Sequence, residues 1–265
     1  MKILAIGDIF GKTGRQVIKN YLLKLKEKHQ IDFVVANVEN ATHGKGISKK
    51  HYKELKGSED DNLINIMTSG NHIFAIEETR KFINEVPDLL RPLNFNPYHP
   101  GPGTILIKVK GKKIRITNLI GNNFMPNAPQ NPYLALEKVL NLQDWDIHLV
   151  DFHAEATAEK IALALYFDGE ISALWGTHTH VQTADERILP SKKTAFITDL
   201  GMTGPSGGVI GAKPEAIFQR AKYGLPAKME PYEDEKDKGQ FNGIILEFDD
   251  ITNKVVRIER IKEIY

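Results

Sequence analysis

The chain has 265 residues, of which 41% are hydrophobic and 26% charged, the composition of an ordinary soluble globular protein with a substantial core. Its net charge of +1 gives no overall reason to expect binding to nucleic acid or to an anionic membrane. Because it contains no cysteine, disulfides and thiolate metal sites are excluded, and any metal must bind to His, Asp, Glu or Asn.

The first third of the chain predicts a parallel α/β sheet. The opening apolar run reaches Asp8 too early to be a signal peptide or a membrane span, so a cytoplasmic protein is expected. Apolar runs alternate with amphipathic stretches, which is the strand–helix–strand pattern of such a sheet. Strands are predicted at 3–6, 33–36 and 63–67, and helices at about 14–28, from Ser48 to about 55, and at 77–84.

The remainder predicts hairpins as well as helices. Proline-rich residues 87–103 form an irregular connection, and a second loop is expected at 122–132. Antiparallel hairpins in this half indicate a mixed pair of sheets within one domain, residues 1–265. Strands are predicted at 104–109, 114–119, 147–152, 171–175, 195–199, 243–248 and 255–261, and helices at 132–140, 157–167 and 214–223.

Polar residues follow five of the predicted strands. In α/β sheets, ligands bind outside the carboxyl ends of the strands. Each residue alone has an ordinary explanation as a helix cap or a turn former, but their joint occurrence indicates a site. The residues are Asp8, Glu39 with Asn40, Asn71 with His72, His153, and His178 with His180.

The histidine pair is the most specific single signal. His178 and His180 lie two residues apart after the apolar run 171–175. In an extended chain, residues i and i+2 point in the same direction, so both imidazoles are expected to aim at one point.

The set of donors indicates the kind of metal centre. Two carboxylates, one or two amide oxygens and three imidazoles are too many for one tetrahedral zinc ion. They suit two adjacent ions that share a carboxylate, and mixed N/O ligation fits iron, manganese or zinc. Two ions about 3.5–4 Å apart can hold a bridging hydroxide and clamp a phosphoryl group.

The order of these segments resembles the calcineurin-like metallophosphoesterases, and most closely their bacterial YmdB-like branch, whose members hydrolyse cyclic nucleotides, including 2′,3′-cyclic ones. The general resemblance rests on Gly7-Asp8, Glu39-Asn40, Gly70-Asn71-His72, His153 and Gly176-Thr177-His178-Thr179-His180. The branch is indicated by Gly7–Arg15, Val38–Ala41, His153–Thr157 and Gly201–Pro205. The resemblance implies two mixed β-sheets packed face to face with helices on both outer sides, a four-layer αββα sandwich. It also implies a phosphodiesterase for a small nucleotide.

The chain departs from the superfamily pattern at two places. Phe10 stands where the usual Asp-x-His motif has its histidine, and Glu39-Asn40 replaces the usual Gly-Asp motif. By this mapping Glu39 bridges the ions and Asn40 takes the place of the missing histidine. The first metal then binds Asp8, Glu39, Asn40 and His180; the second binds Glu39, Asn71, His153 and His178. Iron is favoured, and manganese or zinc remains open.

Catalytic and substrate contacts are also expected near this site. His72 is predicted to face the scissile bond and to assist the leaving oxygen. His43, Lys12 and Arg15 are candidates for substrate binding. A P-loop at Gly7–Thr13 is rejected because three residues, rather than four, separate its glycines.

Other functions remain open from the sequence. One is a phosphatase or phosphodiesterase for another phosphoester, as in the capsule-biosynthesis metallophosphatase-like proteins. Another is a regulatory protein that senses a nucleotide with the same pocket. Amidohydrolase barrels also use His-x-His, but on their first strand. A homo-oligomer is compatible with the glycine-rich loop 201–211, which could equally close over the site.

Overall fold

The computed structural model describes residues 1–58, 61–125, 130–234 and 236–265; part of the predicted loop 122–132 therefore lies outside the described residues. The strands are β1 (Lys2–Ile6), β2 (Asp8–Ile9), β3 (Phe33–Asn37), β4 (Ile66–Thr68), β5 (Thr104–Val109), β6 (Lys112–Ile120), β7 (Ile147–His153), β8 (Ala173–Thr177), β9 (Arg187–Ile188), β10 (Ala195–Ile197), β11 (Met202–Thr203), β12 (Gln240–Phe248) and β13 (Val255–Ile264). The helices are α1 (Gly11–His29), α2 (Lys49–Lys56), α3 (Glu77–Phe82), α4 (Pro132–Leu140), α5 (Thr157–Tyr166) and α6 (Pro214–Tyr223), with a 3₁₀ turn at Ile83–Glu85. None of the helices in these ranges is both long and apolar enough to span a bilayer.

Two mixed sheets form the framework. One has the strand order β13-β12-β1-β3-β4, and the other has the order β5-β6-β7-β8-β10-β9. In the first sheet β1 runs parallel to β3 and antiparallel to β12. In the second, β7 runs parallel to both β6 and β8, while β5 is antiparallel to β6. The carboxyl ends of β3 and β4 lie at one edge of the first sheet, and those of β7 and β8 lie at one edge of the second. Hydrogen bonds from Asn37 and Thr68 to Asp151 bring these two edges together.

The apolar core has three layers because successive strand residues point to opposite faces. On β1, Ile3 belongs to the cluster between the two sheets, whereas Leu4 belongs to the cluster beneath the helices. Trp175 of β8 also lies between the sheets, and Phe152 of β7 packs on the outer side with Leu163 of α5. Helices thus cover both outer faces, and the expected αββα sandwich is confirmed.

Local rules account for most element boundaries. Ser48 caps α2 as expected, since its side chain accepts a hydrogen bond from the backbone N–H of His51. The predicted strand 63–67 is shorter in the structure because Asn65 interrupts it. The side chain of Asn65 accepts from Val34 N at 2.8 Å, and its backbone N–H donates to the Val34 carbonyl at 3.0 Å. The regular ladder therefore begins only at Ile66.

One short pairing was not predicted and places a key residue. Asp8 and Ile9 pair in parallel with Met202 and Thr203, which lie in the glycine-rich loop. The apolar run of β1 ends before Asp8, so hydrophobic periodicity gives no signal for this two-residue ladder. Its effect is to hold Asp8, which is fully buried, at the edge where the other strands end.

His148 of β7 should make the protein acid-sensitive. Burial lowers its pKa to about 3, and Nε2 lies 2.9 Å from the Thr117 hydroxyl. An unfolded chain binds a proton near pH 6.5 that the folded chain does not, so stability falls as the pH drops below that value. At about 1.4 kcal/mol per pH unit, the free energy of unfolding should fall by about 2 kcal/mol between pH 6.5 and 5 from this group.

Urea unfolding at the two pH values measures this effect. The fall should be smaller by that amount in His148→Gln than in the wild type. Equal falls in the two proteins would contradict the assignment.

Candidate metal centre

The structure brings all seven predicted ligands to one edge of the sandwich. Asp8 lies on β2, directly after β1, and His153 is the last residue of β7. The others lie in the loops that follow strands. Those residues are Glu39 and Asn40 after β3, Asn71 after β4, and His178 and His180 after β8.

Three donor atoms surround Nε2 of His153, which is itself a fourth donor. Its Nε2 lies 3.1 Å from Glu39 Oε1, 3.1 Å from Asn71 Oδ1 and 3.0 Å from His178 Nδ1. Two ligands at right angles around an ion, each about 2.1 Å from it, lie about 3 Å apart. This group, which the family resemblance assigns to the second metal, therefore has the spacing of a coordination shell.

The second group of donors lies beside the first. His180 Nε2 and Asn40 Oδ1 are 3.2 Å apart. Asp8 Oδ1 is buried and has no hydrogen-bond partner among the described residues, although it lies 3.8 Å from His153 Nδ1. An orphaned carboxylate oxygen at this depth is costly unless a cation accompanies it. The family resemblance assigns these residues, together with Glu39, to the first metal.

Hydrogen bonds on the outer side of two rings leave their inner nitrogens free for metal. The His153 Nδ1–H donates to the Thr177 hydroxyl at 3.0 Å, and the His180 Nδ1–H donates to the Ile210 carbonyl at 2.8 Å. A neutral imidazole carries a single N–H, so the other nitrogen keeps its lone pair. Such outer contacts are typical of histidines that bind metals.

A buried network supports His153 from below. The Thr177 hydroxyl donates to Asp151 Oδ1 at 2.7 Å. Asp151 also accepts from Asn37 Nδ2 at 3.1 Å and from the hydroxyl of Thr68. Burial raises the pKa of Asp151, although these donors and His153 oppose that change. The network connects strands of both sheets directly beneath the donors.

Electrostatics at the centre favour a cation. Burial raises the pKa of Asp8 to about 6, partly offset by His180 and His153. Burial also opposes ionisation of Glu39, but the contact with His153 outweighs it and holds the Glu39 pKa near 2. Burial disfavours a proton on His153, yet Glu39 and Asp8 raise its pKa to about 9. The carboxylates thus attract positive charge, which a metal ion with N and O ligands supplies.

The backbone of the histidine pair differs from the expectation. β8 ends at Thr177, and His178 and His180 have positive φ values of 105° and 66°. The two rings therefore do not converge through the alternation of an extended strand. Non-glycine residues in this region cost about 1–3 kcal/mol and need support. His178 N donates to Asp8 Oδ2 at 3.1 Å, and Thr179 N donates to Asp199 Oδ2 at 3.2 Å.

A buried ion pair reinforces that support. Lys160 of α5 is completely buried, and its Nζ lies 2.7 Å from Asp199 Oδ2. Asp199 Oδ1 accepts from Gly201 N at 2.8 Å. Asp199 therefore holds the histidine loop and the start of the glycine-rich loop at once.

An open cleft of about 810 Å³ lies over the donors. The predicted residues His72 and His43 line it. Lys12 is exposed on α1 and is not part of the lining. Arg15 is engaged elsewhere, because its guanidinium donates to the Ala41 carbonyl at 2.5 Å and to Glu54 at 3.2 Å.

Further cleft residues were missed by sequence reasoning. Lys45 comes from the loop after β3, and Arg220 and Lys228 come from α6 and the segment after it. Exposed basic residues in loops carry no periodic signal, and only the folded chain brings these segments together.

The chain is similar in sequence and in fold to several known proteins. The family model of YmdB-like proteins matches residues 4–261. A 2′,3′-cyclic-nucleotide 2′-phosphodiesterase from Bacillus subtilis is 44% identical over 263 residues, 98% of this chain and 96% of that protein. The crystal structure of a phosphatase from Mycoplasma pneumoniae has a TM-score of 0.92 at 41% identity and covers 100% of this chain and 93% of that one. The Haemophilus influenzae NAD nucleotidase, with a TM-score of 0.55 at 14% identity over 100% of this chain and 56% of that one, shares the fold alone.

A methyl group at Gly70 should disrupt the centre. Gly70 does not have a positive φ, so alanine is compatible with its backbone. However, a Cβ there would lie 2.2 Å from His153 Cδ2 and 2.3 Å from Glu39 Oε2. Gly70→Ala should therefore displace both donors and abolish stoichiometric metal binding, as measured by elemental analysis of the desalted protein.

Gly111→Ala is the control. A Cβ at Gly111 meets nothing within 4 Å, although the φ of 83° makes alanine strained in this turn. The turn precedes β6 at the end opposite to Ile120, which pairs with His153, so this variant should keep its metal. Equal metal content in the two variants would show that His153 and Glu39 do not hold an ion.

Proposed function

The chain belongs to the YmdB-like protein family, and on that premise we propose that it is a metal-dependent phosphodiesterase that hydrolyses cyclic nucleotides, with 2′,3′-cyclic nucleoside monophosphates favoured. The name of the Bacillus subtilis relative supports the substrate class. The cleft supports a small substrate of this kind, since its volume of about 810 Å³ lies within the usual range for small-molecule sites.

The convergence of donors on His153 is the observation that carries the proposal. Glu39, His153 and His178 each offer a ligand atom within 4.8 Å of the others, and Asn71 joins them. We propose that Glu39 is shared with a second ion bound by Asp8, Asn40 and His180. The all-N/O ligand set favours iron, with manganese or zinc as alternatives.

When bound, two such ions supply an activated water and neutralise charge on the phosphoryl oxygens. The protein contributes fixed positions for the donors and a site for the leaving group. His72 lines the cleft, and its backbone N–H donates to Glu39 Oε2 at 3.1 Å, which fixes the residue beside the proposed bridging carboxylate. We assign to its ring the hydrogen bond to the departing ribose oxygen.

The cleft walls suit a nucleotide. Apolar side chains lie on one part of the lining, namely Phe10, Ile210, Met229 and Pro231. His43 and the cationic residues Lys45 and Arg220 lie on other parts. A nucleotide presents the same combination, because its base is flat and largely apolar while its phosphate is anionic. His43 is therefore the sequence-predicted substrate contact that the cleft supports, whereas Lys12 and Arg15 remain predictions without support from the lining.

Two histidine variants separate metal binding from catalysis. His178→Ala should lose metal and activity together. His72→Ala should retain metal and lose about 10²–10⁴-fold in kcat, the usual contribution of a positioned proton donor. Turnover of 2′,3′-cyclic AMP with Fe²⁺, Mn²⁺ or Zn²⁺ and the metal content of each protein measure the two effects.

His29→Ala serves as the control. His29 ends the 19-residue helix α1, so it lies about 27 Å along the helix from the site. This variant should behave as the wild type. Full turnover by His72→Ala would remove its proposed role. Metal binding without turnover of any phosphodiester by the wild type would favour the nucleotide-sensing alternative.

A further inference from the structure

Glu155 contacts His178, one of the proposed metal ligands. It follows β7 by two residues, and its Oε2 lies 3.2 Å from Nε2 of His178. The Glu155 side chain is 50% exposed and the His178 side chain 23% exposed. Both residues line the cleft. The contact therefore lies at the rim of the centre and not in its buried base.

The two nitrogens of the His178 ring face different partners. Nδ1 lies 3.0 Å from His153 Nε2, toward the converging donors. Nε2 faces the Glu155 carboxylate. A neutral imidazole has one N–H, and a carboxylate can only accept hydrogen bonds. Glu155 therefore selects the tautomer with hydrogen on Nε2, which leaves the Nδ1 lone pair directed at the metal position.

His178 needs this contact more than His153 does. His153 is the last residue of a buried strand, and its outer nitrogen meets the buried Thr177 hydroxyl. His178 instead lies beyond β8 with a φ of 105°, so its ring orientation does not follow from the strand. A charged acceptor orients an imidazole more strongly than a neutral one and increases its basicity.

The sequence suits both Glu155 and Glu159 to the first turn of α5, where a carboxylate interacts favourably with the helix dipole. Glu159 does lie in that turn, and its carboxylate also accepts hydrogen bonds from the backbone N–H groups of Asn122 and Asn123. Glu155 precedes the capping residue Ala156 and contacts His178.

We propose that Glu155 is a positioning residue that fixes the tautomer and orientation of His178 for metal binding. The inference rests on the metal centre of the proposed function. Loss of such an outer contact typically weakens metal affinity by about 10–100-fold. Since His178 belongs to the group around His153 and not to the group around His180, the effect should fall on one of the two ions.

Calorimetric titration of the chelator-treated full-length protein with Mn²⁺ tests the proposal. Glu155→Ala should weaken one of two binding events by about 10–100-fold and leave the other unchanged. Glu155→Gln retains an acceptor oxygen and should recover most of the lost affinity. Glu77→Ala removes an exposed glutamate paired with Lys81 on α3 and should bind Mn²⁺ as the wild type does. Thermal unfolding of the chelator-treated variants should match that of the wild type.

Two results would overturn the inference. One is unchanged affinity for both ions in Glu155→Ala. The other is equal weakening in the Ala and Gln variants together with a lower unfolding temperature without metal, which indicates a general structural role. A wild-type protein that binds none of Fe²⁺, Mn²⁺ and Zn²⁺ would instead show that the proposed metal centre itself is wrong.

Discussion

The proposed metal centre depends on the buried carboxylate of Asp151. This carboxylate accepts hydrogen bonds from Asn37 of β3 and Thr68 of β4 in one sheet, and from Thr177 of β8 in the other. Apolar side chains between the two sheets fix their separation but not the position of individual atoms. A fully buried acceptor with directional partners fixes the strands relative to one another where the donors need it.

The positions of the proposed metal donors above Asp151 depend on this network to different degrees. His153 is buried, lies on the same strand and contacts Asp151 through Thr177. His178 and His180 lie on a left-handed loop that depends on Asp8, Asp199 and the buried Lys160. The centre thus combines a rigid base with a rim held by polar contacts. Backbone strain at functional sites persists only where the surrounding structure supports it in this way.

The sequence predicts the architecture well because hydrophobic periodicity and strand ends are local signals. Alternating residues such as Ile3 and Leu4 determine which face of a sheet they cover, and the ligand residues follow the strands that the periodicity identifies. The two-residue pairing of Asp8 with Met202 is too short to leave a pattern. The partner of a long polar side chain is also hard to predict, because it can lie far away in the sequence. Arg15 pairs with Glu54, and Glu155 with His178, because the fold brings distant segments together. The family resemblance supplied the ligand assignment that periodicity could not.

One part of the cleft wall comes from a segment that carries none of the proposed metal donors. This continuous segment contributes five of the cleft residues, namely Ile210, Ala212, Arg220, Met229 and Pro231. Its helix α6 has no buried side chain. Substitutions in α6 therefore leave the sandwich core intact and can change the cleft wall while the proposed metal donors stay in place. One atom limits that freedom. The Ile210 carbonyl accepts the His180 ring proton, so every viable variant of the segment must still present an acceptor at that point.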